Sequence, residues 1–181
     1  GKNPTVATAN YSEAFSQAEK YFFNTICVDT EEPAVHALLQ AFLDRIYEAG
    51  QFGIGVIAEK DNKDLEERMN AAAGYNGENM VYVLNPKVQI NGGTLDGYQT
   101  TGGIAGIIAS TPANQSVTHT VISRYTDLGE MLTNTQITKA YLKGCLLLSK
   151  SSADEVWIDS GINTLIKPAD NKDAGWKKIR R

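Results

Sequence analysis

The sequence runs to 181 residues, 42% of them hydrophobic and 21% charged, with a formal net charge of −4. That length suits one domain burying about 70% of the surface its unfolded chain would expose, and no apolar run approaches the ~20 residues a membrane-spanning helix needs. The acidic balance gives no positive field for nucleic acid or an anionic membrane, so neither is expected as a partner.

Residues Gly1 to Phe15 lack the basic stretch and apolar core of a secretory signal, although a chain beginning with Gly can have lost its natural start. A helix is predicted near Tyr11 to Lys20, and "YFFNTICV", Tyr21 to Val28, reads as a buried strand of aromatic and β-branched residues. Thr30-Glu31-Glu32-Pro33 combines a hydroxyl, two acids and an early proline, the marks of a helix start. Val35, Leu38, Leu39, Phe42 and Ile46 then form one apolar stripe at helical spacing, and Gly50 closes it. "FGIGVIAE", Phe52 to Glu59, predicts a second buried strand, a charged helix covers Asn62 to Ala73, Asn76-Gly77 turns, and "MVYVLN" predicts a third strand. The order is βαβαβ, which implies an α/β fold, a single domain with a largely parallel or mixed sheet flanked by helices. Phe22, Ile26, Val28, Ile54, Val56, Ile57, Val81 and Val83 are expected in that sheet, with Leu38, Leu39, Phe42 and Ile46 against it.

The second half is less regular. Asn91 to Gln99, "NGGTLDGYQ", reads as a turn or loop region, and "GGIAGIIAS" as a helix of small residues that lets another backbone come close. A strand is predicted near Val117 to Ile122. Leu132-Thr133-Asn134 caps a helix carrying Ile137, Ala140, Tyr141 and Leu142, and "CLLL" and "EVWID" are strands joined by the polar turn "SKSSAD". Beyond Pro168 the chain is polar, with Trp176 and Ile179 as lone apolar anchors and Lys177, Lys178, Arg180 and Arg181 as a basic cluster read as a solvated tail.

Several patterns touch on chemistry. Asp159-Ser160-Gly161 behind an apolar run resembles the loop of an aspartic protease, whose mechanism needs two carboxylates sharing a proton. One copy is present, so catalysis would need a homodimer; otherwise Ser160 and Gly161 end the strand. Gly53-x-Gly55-x-x-Ala58 matches a dinucleotide pattern, but its glycines fall inside the strand rather than after it, which makes the match a chance one. Phosphate-loop and nucleophile-elbow motifs do not occur. His36 and His119 have no second ligand at metal spacing, so each reads as a surface or satisfied core histidine. Cys27 and Cys145, both in apolar sequence, are expected as buried free thiols. Asn10-Tyr11-Ser12 and Asn114-Gln115-Ser116 are glycan acceptors only in a secreted chain. No catalytic, cofactor-binding or metal-binding residue is assigned and no cofactor is expected; the residues alone support a soluble α/β domain, either structural or an α/β enzyme or binding module of unrecognised type.

Five motifs in register carry a resemblance. Phe23-Asn24-Thr25, Ala105-Gly106, the series Asn114, Ser116 and Thr118, Leu132-Thr133-Asn134, and Gly144, together with "INTL" and "GWKKIRR", make residues 20 to 181 resemble the tail sheath protein of contractile-tailed bacteriophages, especially PBSX-like prophages. The resemblance implies a structural protein, not an enzyme. Subunits of that family ring a tail tube, exchange extended arms as added strands, and contract. It implies other sheath copies, the tube protein and the baseplate as partners, and a location in a virion or phage-tail-like particle assembled in the host cytoplasm. It also implies that residues 1–166 form a central α/β domain and that 167–181 lead toward a C-terminal domain. An N-terminal arm, an outer domain and that C-terminal domain are expected to lie outside this sequence, leaving it a monomer by itself.

Overall fold

The structure, a computed structural model, describes residues 6–167 and residue 179. Helix α1 (Thr8–Ala18) begins where the Asn10 carboxamide accepts the Ala7 N–H at 2.8 Å, and strand β1 (Thr25–Cys27) follows. Helix α2 (Pro33–Glu48) has proline in its first turn, where no N–H is missed. Strand β2 (Ile54–Ala58) precedes α3 (Leu65–Tyr75), whose start is fixed by a reciprocal cap between Asp64 and Glu67. Strand β3 (Met80–Val83) completes the first half.

Strands β1, β2 and β3 pair in parallel, and β7 (Cys145–Leu146) joins β3, giving the order β1-β2-β3-β7. Between β3 and β7 lie β4 (Lys87–Ile90), β5 (Gly93–Asp96), a 3₁₀ turn at Gly97–Thr100, α4 (Thr101–Ser110), β6 (Tyr125–Leu128) and α5 (Asn134–Leu142). Thr133 and Gln136 cap α5 reciprocally. An antiparallel sheet of order β5-β4-β6 and a hairpin of β8 (Leu148–Lys150) with β9 (Val156–Ile158) finish the fold.

The parallel sheet divides the core in two. Ile54, Val56, Val81, Val83 and Leu146 face α4, β6 and the β8–β9 hairpin, while Ile57, Met80, Tyr82 and Cys145 face α1, α2, α3 and α5. Strand residues alternate between the layers with the period of two that a pleated backbone imposes, and strands buried on both faces read as near-continuous apolar runs.

Several expectations fail. Phe22 is 83% exposed and Tyr21 71% exposed; β1 is three residues long, and of the three aromatics only Phe23 turns inward, stacking on Phe42 at 6.0 Å. Cys27 is exposed on this edge strand, unlike its buried neighbour Val28. The predicted strand at Val117–Ile122 is a turn with one bridge, Val121 to Trp157, because His119 takes φ +63° and breaks the extended path. The pairing strand is β6 instead. Of Asn91 to Gln99, read as a turn or loop region, Asn91-Gly92 does turn, as the two-residue tip of the β4–β5 hairpin with Gly92 at φ +90°, but Gly93–Asp96 is strand β5. "CLLL" also divides: Cys145–Leu146 join the parallel sheet and Leu148 enters the hairpin. The helix predicted from Asn62 begins at Leu65, since the Asp64 side chain caps it. Trp176, Lys177, Lys178, Arg180 and Arg181 lie outside the described residues.

Candidate functional site

Asp159 follows β9 directly, and its backbone N–H donates to the Leu147 carbonyl at 2.9 Å. Its carboxylate accepts from the Tyr141 hydroxyl and, at 3.4 Å, from the Trp157 indole N–H. Burial first, and the bond to Asp159 second, push the Tyr141 hydroxyl above the ordinary tyrosine range, so it stays a donor. A proton-sharing dyad pairs carboxyl with carboxyl; this one pairs with a phenol and an indole. Ser160 and Gly161 turn the chain, Ser160 accepting the Ile162 N–H at 3.1 Å and Gly161 donating to the Thr118 hydroxyl at 2.9 Å.

The glycines of the dinucleotide-like pattern serve packing. A Cβ on Gly55 would stand 2.8 Å from Leu43 and 3.1 Å from Leu39, both on α2. Glycine therefore lets α2 lie close on β2, and Ala58 ends that strand within the core rather than opening a loop. His36 is buried on α2, its Nε2 2.9 Å from the Thr30 carbonyl and its Nδ1 3.4 Å from the Tyr75 hydroxyl. Burial holds its pKa below the usual histidine value. His119 is exposed in its turn. Cys145 is buried, and burial pushes its thiol up to about 12. Asn10 and Asn114 are both exposed, on α1 and in a turn.

A cleft of about 420 Å³ opens beside Asp61, Lys63, Arg68, Lys87 and Glu130, past the carboxyl ends of β2 and β3. Its cations are matched: Arg68 donates to Glu130 and to the Leu84 carbonyl, each at 2.6 Å, Lys87 pairs with Asp61 at 2.9 Å, and Lys63 pairs with the buried Glu59. Internal pairing of this kind leaves little field for an outside anion. Among the described residues no cluster of three His, Cys, Asp or Glu could hold a metal, and no helix is long and apolar enough to cross a membrane.

The surface is more telling. Tyr21, Phe22 and Tyr47 are exposed on the segments leading into β1 and β2, Tyr47 edge-on to Phe52 at 5.9 Å, and β1 is an edge of the sheet. Exposed aromatics and an open strand edge are features of surfaces that meet other proteins. Sequence reasoning placed Tyr21 and Phe22 in the core, because strand propensity reports fit to a pleated surface and not which side of it is covered.

A family model described as the phage tail sheath protein central domain matches residues 5–164. The chain belongs to the phage tail sheath family. No curated protein matches it in sequence. The sheath tail protein of Desulfitobacterium hafniense is similar at a TM-score of 0.85 and 25% identity, over 99% of this chain and 40% of that one. The sheath tail protein of Listeria innocua gives 0.82 and 23%, over 98% of this chain and 38% of its own. The contracted helical sheath of the anti-feeding prophage shares the fold at 0.64 with 13% identity, over 98% of this chain and 48% of that one. This sheath-family chain thus spans about 40% of the length of the first of these proteins.

Proposed function

We propose that this chain is the central part of a structural subunit that polymerises around the tail tube of a contractile phage, prophage or phage-tail-like particle and contracts to drive the tube through a host envelope. The observation that carries the reading is the family match over residues 5–164. The exposed aromatics at Tyr21, Phe22 and Tyr47 fit it, since a subunit of a lattice needs surface to share. On this reading the partners are further copies of the subunit, the tube protein and the baseplate, and assembly takes place in the host cytoplasm. The chain performs no catalysis and needs no cofactor. Residues 1–166 act as the central α/β unit, and 167–181 lead on toward a C-terminal domain.

Electron microscopy of the longer protein containing this domain tests the proposal. Long hollow tubes of sheath alone are expected when it is concentrated without tube protein. Dispersed particles under every condition of salt and concentration would overturn it.

A further inference from the structure

We propose that the groove between residues 113–117 and Gly161 is the seat of the chain that follows this domain, with Ile179 as its anchor. The groove, of about 250 Å³, is lined by that turn, Gly161 and Ile179 itself. Ile179 packs, partly buried, against the core layer that contains Val117, and its N–H points at the Gly161 carbonyl at 3.4 Å.

The seat is built from both sides. Gly161 N–H and the Ser116 hydroxyl both donate to the Thr118 hydroxyl oxygen, each at 2.9 Å, which ties the 113–118 turn to the strand end. A Cβ on Gly161 would stand 2.5 Å from a Val117 methyl, so only glycine lets the two walls close. In sequence Ile179 lies between Lys178 and Arg180, an apolar side chain without an apolar neighbour, and its burial therefore depends on a surface supplied elsewhere. The chain is also held before this point: the Asn76 side chain accepts the Ile166 and Lys167 N–H groups at 2.9 and 2.7 Å and donates to the Lys167 carbonyl.

Lys167 and Ile179 are thus two successive fastenings to one domain. Whatever follows residue 179 in a longer protein is coupled to the core layer around Val117 and does not hang from Lys167 alone. The Asp-Ser-Gly triplet gains a use here, its glycine serving as a docking wall. The inference does not depend on the sheath reading.

Nuclear Overhauser contacts in the methyl-labelled 181-residue chain test it. A cross-peak between Ile179 and Val117 methyls is expected, and its absence from the unmodified chain would overturn the proposal. Hydrogen exchange supplies a second readout. Ile179→Asp should speed exchange over residues 113–118 and 161–163 by about tenfold, with β2 and β3 unchanged, and Ile179→Val should leave all four segments alone. Exchange in 113–118 that ignores Ile179→Asp would equally refute it. Should Ile179→Asp unfold the whole chain, the cross-peak in the unmodified protein still decides.

Discussion

Asp159 owes its surroundings to Tyr141 and Trp157, and both of those donors can be met by an amide oxygen. Asp159→Asn is therefore expected to shift the melting temperature by no more than a few degrees. A pepstatin-sensitive peptidase activity in the wild type, abolished by this change, would contradict the structural reading. His36 gives the residue-scale pH dependence. Burial disfavours its charged form, with Glu59 and Glu31 opposing and Lys63 adding to that effect. The unfolded chain then takes up the proton first as pH falls through about 6.5. Stability is full above that value and declines below it toward the lower folded pKa. Melting curves at pH 7.5 and 5.5 should converge in His36→Gln compared with wild type; equal shifts in both proteins would count against it. At this scale the sequence was readable where a residue acts through its backbone, as at Ser160 and Gly161. It misled at Cys27, because in a three-residue edge strand one face is open and its neighbours do not tell which.

Helix α2 is the clearest test of an element. Leu39, Phe42, Leu43 and Ile46 are buried along one stripe, and Phe42 stacks between Phe15 at 5.3 Å and Phe23 at 6.0 Å. Phe42→Ala should cost about 3–5 kcal/mol in chemical denaturation, since both the transfer and the cavity contribute. A loss below about 1 kcal/mol would mean that this stripe is not packed. The sequence revealed α2 by its 3.6-residue stripe, α5 by its cap, β2 and β3 as apolar runs buried on both faces, and α4 as a run of small residues. The β8–β9 hairpin was legible, whereas β4, β5 and β6 were hidden for a physical reason. In β4–β5 only Val88 is fully buried, so alternation is faint, and the break in "CLLL" comes from two competing partners, β3 and β9, that lie far apart in sequence.

At the scale of the molecule, the α/β class and the largely parallel pairing followed from the alternation of elements, whereas the exposure of Tyr21, Phe22 and Tyr47 did not, because an exposed patch carries no short motif. Both layers of the core close within the chain, so the 181 residues should fold unaided and sediment at equilibrium near their own mass of 19.7 kDa at micromolar concentration. Rings or tubes formed by these residues alone would assign the assembly contacts to this domain. The parallel sheet has a thermodynamic consequence as well. It stands as a partition between two layers whose buried side chains fall into separate clusters, so damage at the centre of one should go unnoticed at the centre of the other. Ile46→Val on α2 and Ile108→Val on α4 should each cost about 0.5–1.5 kcal/mol, and together the sum of the two within about 0.5 kcal/mol. A larger coupling energy would mean that the sheet transmits strain from one layer to the other.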